Sequence, residues 1–169
     1  MSTNDHQRRK WLVESNESLL LPELEGRGFH RVPLTREEAR SEFRIAYPFG
    51  RLRREGPRGF ELVEIQLDKR GSPVFRLNLG VVPFGGVEHE LVGRIPPEDV
   101  WVHYLDHADE MYEVRWRRKW FSARHLPWSE VSTADYQELV RRVVSLIPEI
   151  EALFRDGELG KHMREIRLH

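Results

Sequence analysis

Two imidazoles four residues apart, His103 and His107, with Asp106 just before the second, have residue types and spacing that suit a metal site. On a helix, positions i and i+4 share a face, so both rings could bind one ion while nearby carboxylates complete its shell. Asp109, Glu110, His89 and Glu90 lie close in sequence. Such a centre would serve a metal-dependent hydrolase. The residue after His103 is Tyr104 rather than Glu, however, so the HExxH pattern of a metalloprotease is absent. The plainer reading of the segment is a solvated polar loop.

A second group is Arg115-Trp116-Arg117-Arg118-Lys119-Trp120, followed by Arg124. Interleaved cations and indoles can neutralise phosphates and stack on bases, the chemistry of nucleic-acid contact. The same residues also read as a strand. Trp116, Arg118 and Trp120 would then share one face, with the indoles in a sheet core and Arg115, Arg117 and Lys119 turned to solvent. A further basic patch, Arg51, Arg53, Arg54 and Arg58, reads as a solvated hairpin tip.

The third feature is a run of carboxylates, Glu88, Glu90, Glu98, Asp99, Asp106, Asp109 and Glu110, with Arg94 as the one cation among them. The 169 residues hold 27 Lys and Arg against 28 Asp and Glu, a formal charge of −1, which argues against a generic polyanion binder. The total conceals segregation: residues 1–60 carry +3, residues 61–110 carry −6 and residues 111–169 carry +2. An acidic centre of this kind can steer a basic protein, as an immunity-like protein that neutralises a nuclease-type toxin must. Glu98, Asp99 and Asp109, with Arg115, Trp116 and Arg118, are the candidate partner-binding residues. Internal pairing with the Arg-rich segment is the alternative.

Other chemistry is absent from the sequence. Without cysteine there is no disulfide scaffold, thiolate nucleophile or cysteine-based zinc site. No GxGxxG, Walker loop or GxSxG elbow occurs, and no motif calls for a cofactor. No apolar run exceeds three residues, and the start MSTNDHQRRK lacks a signal-peptide core, which gives the expectation of a cytoplasmic, bacterial protein with no membrane contact.

The elements that must position these groups follow from periodicity. Trp11, Leu12, Leu19, Leu20 and Leu24 have helical spacing interrupted by Ser15, Asn16 and Pro22, which predicts a kinked helix or two short ones ending before Gly26 or Gly28. Phe29 to Val32 reads as a short strand, and Thr35 with Glu37 and Glu38 as a helical turn. Alternation then predicts three strands, around Phe43–Tyr47, Val63–Leu67 and Phe75–Val81, with Gly- and Pro-rich separators that favour antiparallel hairpins. Asn78 falls on the sheet face opposite Leu77 and Leu79, beside Arg76, where it would bond a neighbouring strand or line a groove. A further strand is expected near Tyr112–Trp120. Tyr136 through Phe154 form a long amphipathic helix opened by a capping box at Ser132 and Asp135, broken near Pro148 and closed by Gly157. Leu159 to Ile166 reads as a short final helix.

This order, a helix running into Leu24-x-x-x-Gly28-Phe29, a meander with Phe75-Arg-Leu-Asn78-Leu-Gly80-Val81 and a long closing helix, resembles an uncharacterised bacterial family catalogued as domain of unknown function 4304. The resemblance spans about residues 17–155 and brings no activity, cofactor or catalytic residue. It implies an α+β fold. The periodicity agrees: one α+β domain over residues 1–169, with a largely antiparallel sheet of about four to six strands packed against N-terminal and long C-terminal helices. The leading functional reading is a non-enzymatic module that engages a basic protein through the acidic segment. The alternatives are a metal-dependent hydrolase using His103, Asp106 and His107, and nucleic-acid binding through Arg115–Trp120.

Overall fold

The computed structural model describes residues 3–90, 93–113, 119–123 and 131–167. Helix α1 (Thr3–Ser15) runs through a π-helical turn, Asn16–Leu20, into α2 (Leu21–Glu25). That turn is the expected kink. Asn16 donates its side-chain amide to the Leu12 carbonyl at 2.9 Å, and Leu21 N–H reaches back five residues to the Asn16 carbonyl. Strand β1 (His30–Val32) follows, then a 3-10 turn at Glu38–Arg40 and a single helical turn, α3 (Phe43–Ala46).

The alternation at Phe43–Tyr47 is therefore not a strand. Phe43 and Tyr47 sit one helical turn apart with ring centroids at 5.5 Å, and each packs on the Trp101 ring at 5.0 Å. The strand comes next, as β2 (Arg51–Gly56), in the segment whose arginines suggested a hairpin tip. Those arginines lie on aromatic rings: Arg51 over Trp101 at 4.6 Å, Arg53 over Phe60 at 3.5 Å and Arg54 over Phe29 at 4.4 Å. Stacked guanidiniums let a polar sequence occupy a half-buried strand.

Strands β3 (Gly59–Leu67) and β4 (Val74–Val82) match the expected alternation. Beyond them come the hairpin β5 (Val87–His89) and β6 (Gly93–Ile95), then β7 (His107–Met111) and the two-residue β8 (Phe121–Ser122). Of the strand expected near Tyr112–Trp120, residues 112, 113, 119 and 120 carry no strand, and 114–118 lie outside the described residues. The closing helix divides into α4 (Thr133–Val144) and α5 (Ile147–Asp156), with Pro148 in the first turn of α5. Both ends are as the sequence indicates: Ser132 and Asp135 form the capping box, and Gly157 adopts φ 75°.

The last segment corrects an expectation. Instead of a helix, Met163–Arg167 is a strand, β9, paired with β7. It is short and carries only local helical spacing, so cross-strand pairing decides its conformation.

The main sheet has seven strands in the order β1-β2-β3-β4-β7-β9, with β8 also on β4, and every pairing is antiparallel. The fold is thus α+β with helices at both chain ends against an antiparallel sheet. One face carries Leu52, Val63, Ile65, Leu67, Phe75, Leu77, Leu79 and Met111, buried under α2, α4 and α5 through Leu24, Tyr136, Leu139, Val143, Ile150 and Phe154. The opposite face holds a second, smaller apolar cluster of Leu62, Val82, Ile95, Val100, Val102, Leu105 and Ala108. Residues 96–106 supply the cover on that side.

Candidate interaction face

Residues 96–106 bridge β6 to β7, and their apolar side chains point inward. Val100, Trp101, Val102 and Leu105 are buried, whereas Glu98, Asp99, His103 and Asp106 are exposed. Four contacts fasten this stretch to the sheet and to the Glu38–Arg40 turn. The buried Arg51 guanidinium donates to the Asp99 carbonyl at 2.9 Å and to the Val100 carbonyl at 3.5 Å. Val102 N–H donates to Glu64 Oε1 at 2.6 Å, and Trp101 Nε1 donates to Glu38 Oε1 at 2.6 Å. Leu105 seats over Gly80, where an added Cβ would lie 2.4 Å from Leu105 Cδ1. The glycine of the Asn78-Leu79-Gly80 run thus makes room for the cover.

The polar side chains beneath form a row across the strands. Glu64 pairs in register with Asn78, Asn78 with Glu110 and Glu110 with Arg164. Asn78 Nδ2 donates to Glu64 Oε2 at 3.4 Å and to Gln66 Oε1 at 3.0 Å, so it bonds the neighbouring strand as its position suggests. Arg76 donates to Gln66 at 2.8 Å, pairs with Glu110 at 2.5 Å and lies over Trp120 at 4.8 Å. Burial pushes the Glu64 carboxyl up to about 7 against the pull of Val102 N–H, Asn78 and Arg51. Burial also raises the Tyr47 hydroxyl, and the charge of Glu64 adds to it. For Glu38, burial acts upward, but hydrogen bonds from Thr35 and Trp101 and the charge of Arg51 bring it below the usual carboxylate range.

The acidic segment therefore divides in two. Glu110 is neutralised within the sheet by Arg76, whereas Glu98, Asp99 and Asp106 are exposed and make no ion pair among the described residues. Asp109 leaves the group: it is half-buried and shares the opposite, core-side face with Leu79. Its position on β7 alternates with Glu110, and the pleat sends the two side chains to different sides.

His103 and His107 are not brought to one metal. The segment between them is a single 3-10 turn, Val102–Tyr104, followed by extended backbone, so the i, i+4 relationship puts them on no common face. His103 keeps one side in solvent and lays the other against Phe43, Trp101 and Tyr104, and the desolvation on the packed side, with the charges of His89 and Arg51, lowers its pKa. His107 faces Glu165 on β9 at 3.3 Å. Among the described residues no group of three or more His, Asp or Glu, Asp106 included, is placed to hold a metal ion. Arg115, Trp116 and Arg118 lie outside the described residues, and Trp120, at the end of their segment, is half-buried.

Arg51, Glu64, Glu38 and Gly80 organise this face and were not singled out in the sequence as its fasteners. A signal was present: Leu62 and Val82 are apolar on the side of the sheet that strict alternation leaves to solvent, which implies a cover there. No family model, curated protein or solved structure matches the chain, so the functional reading rests on this geometry.

Proposed function

We propose that the chain is a non-enzymatic binding module that presents the outer side of residues 96–106 to a basic protein, in the manner of an immunity-like protein. The supporting observation is that Glu98, Asp99 and Asp106 stand exposed and without ion pairs among the described residues on a loop held by Arg51 and Glu64. A loop fixed by hydrogen bonds to buried side chains loses little entropy on association, and exposed carboxylates on it raise the encounter rate with a cationic surface. Exposed His103 and its neighbour Tyr104 add rings beside which a guanidinium can lie.

The test compares the chain with a Glu98→Gln, Asp99→Asn, Asp106→Asn variant. Titration with an oligoarginine peptide at low salt should show saturable binding that salt abolishes and that the variant weakens about tenfold. Affinity capture from a cell lysate should show the same difference for full-length basic proteins. Equal binding by the two forms, in either measurement, overturns the reading.

A further inference from the structure

Residues 96–106 lie on the second apolar cluster without joining the main sheet. Their backbone hydrogen bonds are local, from Asp99 N–H to the Pro96 carbonyl, Tyr104 N–H to Trp101 and Leu105 N–H to Val102. Among the described residues no ladder bond ties this stretch to β3 or β4, and the hairpin before it, β5 with β6, is a separate two-stranded sheet. It is held down by the side chains of Arg51, Glu64 and Glu38 and by the apolar contacts of Val100, Val102 and Leu105. A segment attached in this way can open as a unit while the sheet beneath stays folded.

The surface beneath is poorly equipped to hold a negative charge. Glu64 is fully buried; one oxygen accepts Val102 N–H from the cover, and the other meets Asn78 Nδ2 only at 3.4 Å. Asn78 is buried too, and among the described residues no donor reaches its Oδ1. Around Glu64 stand Arg51 on β2, Asn78 and Arg76 on β4, Glu110 on β7 and Tyr47 after α3. Both cations are engaged elsewhere: Arg76 pairs with Glu110 at 2.5 Å, and Arg51 donates to the Asp99 and Val100 carbonyls. Desolvation therefore outweighs the pull of Val102 N–H, Asn78 and Arg51. Lifting the cover gives water to the Glu64 carboxylate and to Asn78 Oδ1 together, so an ionised Glu64 favours the open form.

We propose that residues 96–106 form a proton-gated lid, closed while Glu64 is protonated and released as a unit when Glu64 ionises, which brings the polar row and the second apolar cluster into solvent. With Glu64 at about 7 in the closed form and at its ordinary 4.5 in the open one, the open population gains up to tenfold per pH unit between those values and no more above them. His103, exposed on the lid, acts in the opposite sense, because its lowered pKa favours the closed form as pH rises. The gate works on the inner side of the lid and holds whether or not a basic protein binds the outer side.

The test is native-state amide hydrogen exchange of the full chain from pH 5 to pH 8, corrected for intrinsic rates, with and without urea below the unfolding transition. Protection at Val102, Tyr104 and Leu105 should fall at least tenfold between pH 5 and pH 7 and level off above. At every pH it should lie below that of α4 and respond less steeply to urea, because opening the lid exposes less surface than unfolding does. Glu64→Gln keeps an acceptor for Val102 and should abolish the fall. In the unaltered chain the carbon-13 signal of the Glu64 carboxyl should titrate near 7, a reading that needs no variant to fold. The proposal is overturned if protection of the lid does not fall with pH, if a folded Glu64→Gln shows the same fall, or if the Glu64 signal titrates near 4.5. Equal protection and equal urea response in the lid and α4 overturn it too, since Glu64 would then meet water only when the whole chain unfolds.

Discussion

The fully buried Glu64 carboxylate accepts the backbone N–H of Val102 at 2.6 Å, and closure of residues 96–106 over the sheet is what removes that carboxylate from water. Its folded-state pKa of about 7 stands above its ordinary value of 4.5, so the folded protein binds more protons than the unfolded chain between those limits. The protonated group's contribution is fully present below the lower limit and is lost as pH rises through the upper one. Stability to urea should therefore fall between pH 5 and pH 8, by up to about 3 kcal/mol from this group. Glu64→Gln keeps an acceptor for Val102 and does not titrate. Its urea midpoint should lose that fall and keep only the opposite trend from His103, whose lowered pKa makes stability rise with pH, and a variant slope equal to that of the parent would exclude Glu64 as the source.

Arg51 is the cation that makes this arrangement tolerable. Its guanidinium holds two carbonyls of the cover, lies over Trp101 and is the positive charge acting on Glu64. Arg51→Met retains the apolar stem and removes the donors, taking the guanidinium from the buried Val100 carbonyl and the part-buried Asp99 carbonyl and leaving Glu64 without its counter-charge. A loss of about 3 kcal/mol is expected. Amide hydrogen exchange at residues 99–105 should accelerate more than exchange in α4, which packs on the other side of the sheet. Uniform acceleration in both places would show that Arg51 supports the whole fold rather than the cover.

Legibility followed the reach of the forces involved. The capping box at Ser132, the break at Pro148 and the left-handed Gly157 are set within one turn of chain, and all three could be read directly. So could β3 and β4, where alternation is long and one face is uniformly apolar. β9 could not, because five residues pair only through a partner more than fifty positions earlier. β2 was hidden by arginines whose burial depends on rings from other segments, Phe29, Phe60 and Trp101. The interaction face was half visible: exposed acid runs announce themselves, but which carboxylates are neutralised inside depends on register. Glu110 meets Arg76 and Asp109 does not, for no reason that composition records.

The capping box at α4 should behave as a local device. Ser132 N–H donates to Asp135 Oδ2 at 2.8 Å, and the Ser132 hydroxyl donates to the same oxygen at 2.9 Å. Ser132→Ala should cost about 1 kcal/mol in urea unfolding and leave oligoarginine binding unchanged. An Asp135→Ala, Ser132→Ala double variant should lose more than either single one, because Ser132→Ala leaves the backbone N–H bond to Asp135 in place, but less than the sum, because the two side chains share the hydroxyl–carboxylate bond. Strict additivity would mean that this shared bond contributes nothing.

Gly80 and Leu105 should also be coupled, through space rather than through a bond. A Cβ on residue 80 would fall 2.4 Å from Leu105 Cδ1, so Gly80→Ala forces that side chain, and the cover with it, away from the second apolar cluster. The contact is with the end of a flexible side chain, and a cost of about 2 kcal/mol follows for the single change. Leu105→Ala alone empties a buried site and should cost about 3 kcal/mol. Combined, the new methyl group enters the space that the leucine vacates, and the loss in the double variant should fall at least 1 kcal/mol short of the sum of the two single losses. The three urea midpoints decide it. Additive losses would show that Leu105 already moves freely, and that the absence of a side chain at position 80 answers to the backbone of β4 instead of to the loop that covers it.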